Sequence, residues 1–180
     1  MLGNGVGPTP VPPAAWKKHM GPGQVLNLAL PGETTEQTLW RLERGLMDQL
    51  SPRVVVIGVG ANNLVAVERN GVPVAAVAKG IQAAIAAVRS RWPEAAVAVI
   101  EPMLMGRPTP TQRENIAALH AAIAALPHTP GVTVFDPRGS LADDAGVILA
   151  DRSGYGGLKL NEAGREELVA ALAQALKGQL

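Results

Sequence analysis

Two short segments carry residue types suited to holding an oxygen that bears or gains negative charge. One is Asn27-Leu-Ala-Leu-Pro-Gly-Glu-Thr-Thr35 and the other is Gly58-Val-Gly-Ala-Asn-Asn63. A glycine such as Gly32 lets the backbone N–H approach a substrate oxygen with no Cβ in the way. Asn62 offers a neutral amide donor. One such donor contributes about 3–4 kcal/mol when it faces the oxyanion of an acyl-transfer transition state. The same residues also suit a bland arrangement, with Gly32 in a strand-to-helix turn and Asn62 capping a loop. Glu33 has two readings as well: a carboxylate pointing into a pocket, or an acid favoured by the dipole at a helix start.

Other reactive types are sparse. The three histidines, His19, His120 and His128, fall in a Pro-rich entry region, an amphipathic helix and a Pro-flanked loop. None is expected at a strand carboxyl end, and each reads as a surface or packing residue. Ser153 and Tyr155 lie close in sequence to Lys159. A Ser–Lys pair can activate a hydroxyl, but here it has no other support. Asp143-Asp144 reads as a solvated loop. No His/Asp/Glu spacing suits a metal and no Gly-rich phosphate loop is present, so no metal or cofactor is expected.

The elements that must position these residues follow from hydrophobic pattern. Residues 3–13 are rich in Gly and Pro and read as loop. Val25 to Leu30 reads as a short strand. Glu33 to Leu50 reads as a helix, with Leu39, Leu42, Leu46 and Leu50 at spacings of three and four. Arg53 to Val59 is a β-branched run of the kind buried on both faces of a parallel sheet. Val72 to Trp92 reads as a helix, Ala95 to Ile100 as a strand, and Gln112 to Leu126 as a helix. Val132 to Phe135 is a last strand and Asn161 to Leu176 a last helix. This alternation implies βαβ units: a three-layer α/β/α sandwich around a parallel, flavodoxin-like sheet. Sites in such folds form at the strand carboxyl ends. With no linker or repeat visible, residues 1–180 read as one domain.

Bulk composition narrows the classes. The chain is 47% hydrophobic but only 3% aromatic, so its core must be built from Ala, Val, Leu and Ile. Net charge is +1, which gives no footprint for nucleic acid or an anionic membrane. The absence of cysteine removes disulfides and thiolate chemistry. No signal-peptide pattern and no apolar run of about 20 residues is seen, and a cytoplasmic protein is expected. The Ala-rich, aromatic-poor composition points to a GC-rich bacterial or phage genome.

The two opening segments resemble the second and third conserved blocks of the SGNH (GDSL-type) hydrolases. Leu39-Trp-Arg-Leu42, Pro52 to Asn63 and Pro102-Met-Leu-Met-Gly-Arg-Pro108 resemble one subgroup in particular. That subgroup comprises the proteins similar to the catalytic subunits of platelet-activating-factor acetylhydrolase. The resemblance covers nearly the whole chain. It implies the sandwich fold and assigns Gly32 and Asn62 to the family's oxyanion hole. It also exposes three departures. Gly5 stands where the family has its nucleophilic serine, with the strand before it reduced to Met1-Leu2 by a late start or by degeneration. Gly156 stands at the aspartate position and Lys159 at the histidine position, while Leu158, Leu160 and Asn161 keep the framework of that block. Gly5 cannot attack a carbonyl, Gly156 cannot orient a base, and Lys159 is a cation at neutral pH unless buried.

The expectation is therefore a catalytically degenerate member of that fold, more a binding or assembly protein than an enzyme. Gly32, Glu33, Asn62 and Lys159 would frame a pocket for a small acyl, acetylated or carboxylate ligand. A homodimer, or a heterodimer with an intact paralogue, is the expected form of assembly. The alternative is a GDSL-type esterase or acetylhydrolase with a noncanonical or incomplete site.

Overall fold

The computed structural model describes residues 13–21, 25–104, 106, 108–143, 147–154, 157 and 159–179. Helices α1 (Pro13–Met20) and α2 (Thr35–Glu43) precede strand β1 (Val54–Ile57). Helices α3 (Asn63–Asn70) and α4 (Val74–Arg91) lead to β2 (Ala96–Ile100). Helix α5 (Pro110–Ala124), strand β3 (Val132–Phe135) and the short α6 (Arg138–Leu141) follow. A 3-10 turn (Ala150–Arg152), a two-residue ribbon of β4 (Ser153–Gly154) and β5 (Lys159–Leu160), and α7 (Glu162–Ala175) complete the order.

The β-branched runs pair as a parallel sheet in the order β1-β2-β3. Val54 to Ile57 stand opposite Ala96 to Val99, and Val97 to Ile100 opposite Val132 to Phe135. Side chains alternate across a strand, so one register feeds two layers. Ile57, Val97 and Val99 enter a core with Leu42, Val77, Ile81, Ile85, Leu119 and Ile123, from α2, α4 and α5. Ala98 and Ile100 face the other way, against Ala15 and Trp16 of α1 and Val169, Leu172 and Leu176 at α7. The result is the expected three-layer α/β/α arrangement.

Glycine sets the approach of two helices. A Cβ on Gly80 would lie 2.5 Å from Thr35 Oγ1, so its bare Cα is what lets α4 meet the start of α2. A Cβ on Gly164 would lie 2.2 Å from the Arg152 carbonyl oxygen, which seats α7 against the 3-10 turn.

Two expected elements differ. Val25 to Leu30 is not a strand; it is irregular, and Val25, Leu26 and Leu30 are half or more exposed. The Asn27 side-chain oxygen accepts the Ala29 N–H at 3.1 Å, a local turn that competes with an extended ladder. The helix expected over 33–50 ends at Glu43, followed by turns through Gly45 at φ +70°, and leaves Leu46 exposed. The leucine spacing continued, but the chain reversed before it could be used. Helices α1, α3 and α6 were not expected.

Candidate functional site

The turn Leu30-Pro31-Gly32-Glu33 closes with the Glu33 N–H donating to the Leu30 carbonyl at 3.3 Å. Proline at the second position and a glycine with φ +79° at the third is the pattern of a type II turn. Gly32 is exposed, with open space where a Cβ would stand. The chain then enters α2, where the Gln37 side chain accepts the Thr34 N–H at 2.9 Å.

Asn62 reaches this turn from the loop after β1. Its Nδ2 donates to the Glu33 carbonyl at 2.9 Å, fastening the third-block segment to the second. An amide nitrogen carries two hydrogens, so this bond leaves one for another acceptor. Glu33 does not share in that contact through its carboxylate. The carboxylate is 7% exposed and receives Arg41 Nη1 at 3.0 and 3.2 Å. Arg41 also donates to the Leu28 carbonyl at 2.8 Å, which ties the irregular 25–30 segment to α2. Glu33 is thus the buried half of an internal ion pair.

The neighbouring Asn63 is the more deeply engaged of the two asparagines. It is buried; its Oδ1 accepts the Thr35 N–H at 3.0 Å, and its Nδ2 donates to Thr35 Oγ1 at 3.1 Å and Glu36 Oε2 at 2.9 Å. Burial would raise the Glu36 pKa, but hydrogen bonds from its own backbone, Thr34, Asn63 and Thr35 win and hold it below the ordinary value. The Asn-Asn doublet was visible in the sequence. Nothing in one dimension says which asparagine turns inward.

Lys159 is half-buried in β5, opposite Gly154 of β4. Asn161 fixes this ribbon to α7: its Oδ1 accepts the Gly164 N–H at 2.9 Å and its Nδ2 donates to the Asp151 and Ser153 carbonyls at 2.9 and 3.1 Å. The Gly106 N–H donates to the Gly157 carbonyl at 2.8 Å, joining the loop after β2 to the segment before β5. Gly5 and Gly156, at the expected nucleophile and acid positions, lie outside the described residues, as do Tyr155 and Asp144. Ser153 donates its hydroxyl to the Ala150 carbonyl at 3.2 Å.

A second polar group gathers where β2 and β3 end. Register places Ile100 opposite Phe135, so Glu101 and Asp136 emerge side by side, and the Glu101 N–H donates to the Phe135 carbonyl at 2.9 Å. Arg138 grips Asp136 through Nε at 2.8 Å and Nη2 at 2.7 Å and reaches Glu101 Oε2 only at 3.5 Å. Burial pushes the Glu101 pKa up, opposed by His120 and Arg138. The Arg138 hydrogen bond holds Asp136 below its ordinary value, and in return Asp136 raises Arg138. His120 is buried against the same strand end, with Nε2 2.6 Å from the Pro102 carbonyl. It is a packing histidine, as expected, yet it does reach a strand carboxyl end. His19 stands beside Glu166 at 3.6 Å and His128 is exposed. Among the described residues no group of three or more His, Cys, Asp or Glu side chains is placed to hold a metal ion. No described helix is long and apolar enough to cross a membrane.

Comparison with known proteins agrees with this fold. The model of the GDSL-like Lipase/Acylhydrolase family matches residues 3–166. The chain is similar to the platelet-activating factor acetylhydrolase IB subunit alpha2 of Gallus gallus, 32% identical over 137 residues, which is 76% of this chain and 55% of that one. It is also similar to the IB subunit beta homolog of Drosophila melanogaster, 29% identical over 166 residues, 90% of this chain and 69% of the relative. The chain spans about half the length of the alpha2 relatives it matches. A GDSL-like lipase from Bacteroides thetaiotaomicron superposes with a TM-score of 0.68 at 20% identity, covering 93% of this chain and 80% of the lipase. At that identity the likeness speaks for the fold. The family match takes in both segments that Asn62 joins, and the chain belongs to the GDSL-like lipase/acylhydrolase family.

Proposed function

We propose that this chain is a GDSL-family protein that no longer hydrolyses esters and uses the retained scaffold for small-ligand binding or protein assembly. What supports this reading is the sequence resemblance, which sets Gly5, Gly156 and Lys159 at the positions where the family has serine, aspartate and histidine. The second and third blocks, by contrast, remain fastened through Asn62 and Glu33. A glycine has no group to attack a carbonyl or orient an imidazole, and a lysine cation is a poor proton acceptor at neutral pH.

The Gly32 N–H and the second Asn62 amide hydrogen are donors on segments that the Asn62–Glu33 bond holds together. They suit a carboxylate, an acetylated sugar or another small anion. The relatives are named as subunits of a larger enzyme, which favours assembly as a homodimer or beside a paralogue with an intact triad. Those same names favour the rival reading, an acetylhydrolase with an unconventional nucleophile.

Hydrolysis of p-nitrophenyl acetate by the purified chain, beside an Asn62→Ala variant, decides between them. The expected result is no activity above the variant's background. Activity that falls by roughly 100-fold or more in the variant would mean a working oxyanion hole and would sink the proposal.

A further inference from the structure

A cleft of about 860 Å³ is lined by Arg53, Arg89, Glu94, His128 and Thr133. That size falls within the range of small-molecule sites. Arg53 precedes β1, Glu94 precedes β2 and Thr133 lies near the start of β3, so the cleft opens on the amino edge of the sheet. We propose that it binds a small molecule through a phosphate group.

Backbone pairing fixes this edge. Three consecutive residues each hold one partner. The Ala95 carbonyl accepts Arg89 Nη1 at 2.8 Å, the Ala96 N–H donates to the Arg53 carbonyl at 2.9 Å, and the Val97 N–H donates to the Gly131 carbonyl at 2.8 Å. Gly131, at φ +74°, lies against the Arg89 guanidinium, where a Cβ would stand 3.4 Å from Nη1. Arg89 is half-buried, so its cation is positioned before a ligand arrives, which lowers the ordering cost of binding.

The donors here are unspent. A guanidinium carries several N–H donors and stays charged, so the polarity of the site does not depend on His128. Arg89 donates to Ala95, and among the described residues neither its other N–H groups nor the Arg53 side chain has a hydrogen-bond partner. Neither arginine closes an ion pair with a described carboxylate, Glu94 included. Thr133 Oγ1 accepts Gln179 Nε2 at 3.1 Å and keeps its hydroxyl hydrogen to give. Two cations without a carboxylate partner favour an anion that can meet both. A phosphate presents three acceptor oxygens and up to two charges, whereas a carboxylate presents two oxygens in one plane. The Gly32–Asn62 pair follows the carboxyl end of β1, at the other edge of the sheet. The occupant of this cleft is therefore a second ligand, separate from the one proposed for that pair.

The test follows the backbone amides of Ala95, Gly131 and Thr133 by nitrogen–proton correlation spectra. Inorganic phosphate and, separately, sodium acetate are added at constant ionic strength and mildly alkaline pH, where phosphate is mostly doubly charged. Phosphate should shift these signals saturably, and acetate should bind at least about tenfold more weakly. Arg53→Gln and Arg89→Gln should each weaken phosphate binding by about tenfold. Glu94→Gln, which removes the one carboxylate in the lining, should tighten it. Arg69→Gln takes the same charge from the exposed surface of α3 and should leave binding unchanged. Should Arg89→Gln not fold, Arg53→Gln still decides, because the Arg53 side chain is exposed and unpartnered among the described residues. The proposal is overturned if phosphate gives no saturable shift, or if acetate binds equally well. It is overturned as well if Arg53→Gln binds phosphate like the native chain, or if Arg69→Gln weakens binding as much as Arg53→Gln does.

Discussion

Asn63→Ala should destabilise the fold by about 3 kcal/mol. The side chain joins the starts of α2 and α3 through three hydrogen bonds, to Thr35 N, Thr35 Oγ1 and Glu36 Oε2. Thr35 is 1% exposed, so water cannot replace the lost acceptor of its N–H. An unpaired buried donor costs about 1–3 kcal/mol, and each of the other two bonds adds about 0.5–1.5 kcal/mol net. The bond to Glu36 also helps hold that carboxylate ionised. Against a typical total of about 5–15 kcal/mol this is a large fraction, and it should lower Tm by roughly 6–12 °C in a chain of this size. Urea unfolding at neutral pH reads it directly. Asn62→Ala is the built-in comparison. It removes one bond to a carbonyl at a half-exposed site and should cost about 1 kcal/mol. If Asn63→Ala loses less than about 1 kcal/mol, or Asn62→Ala loses more than Asn63→Ala, the division into an inward structural asparagine and an outward donor is wrong.

Arg41→Met leaves the Glu33 carboxylate buried without its cation and should cost about 3 kcal/mol by urea unfolding, with much of that recovered in the double variant with Glu33→Gln. Gly164→Ala would drive a methyl to 2.2 Å from a backbone oxygen that cannot rotate away; a loss of about 1–3 kcal/mol is expected, and a neutral result would show that α7 can shift. Burial raises the Glu101 pKa in the folded chain above its ordinary value, so its contribution is present in full below that ordinary value and is lost as pH rises through the folded one. Glu101→Gln should therefore gain on the native chain as urea unfolding is repeated from acid to neutral pH, and a difference independent of pH would refute the assignment. Asp136 has the opposite sign: its pKa is lowered from 3.8, chiefly by Arg138. Asp136→Asn should be destabilising at neutral pH and converge on the native chain only as pH falls through that lowered value.

The elements that the sequence made legible are those whose own composition decides them. Val54 to Ile57, Ala96 to Ile100 and Val132 to Phe135 are short apolar runs bounded by turn residues, and each became a strand of the parallel sheet. Helices α4, α5 and α7 fell within a few residues of their expected bounds because Pro73, Thr109 and Asn161 mark their starts. Where a segment depends on a neighbour, the pattern misled. Val25 to Leu30 has strand composition, but β1 has no partner on its outer edge among the described residues. The leucines after Glu43 kept helical spacing after the chain had turned at Gly45.

The same division holds for the candidate sites. Gly32 and Asn62 could be singled out one by one, and the family's blocks are local strings that survive in one dimension. The expectation that Gly5, Gly156 and Lys159 stand at the family's catalytic positions likewise came from the sequence and its resemblance. That Asn62 closes on the Glu33 carbonyl while Asn63 turns inward, and that Glu33 faces Arg41, was settled only by how α2, α3 and the second-block turn pack. Glu101, His120, Asp136 and Arg138 come from three separate stretches of chain. Only the β2–β3 register and the seating of α5 bring them together, because a parallel sheet juxtaposes residues through crossovers whose length in sequence says nothing about which side chains will meet.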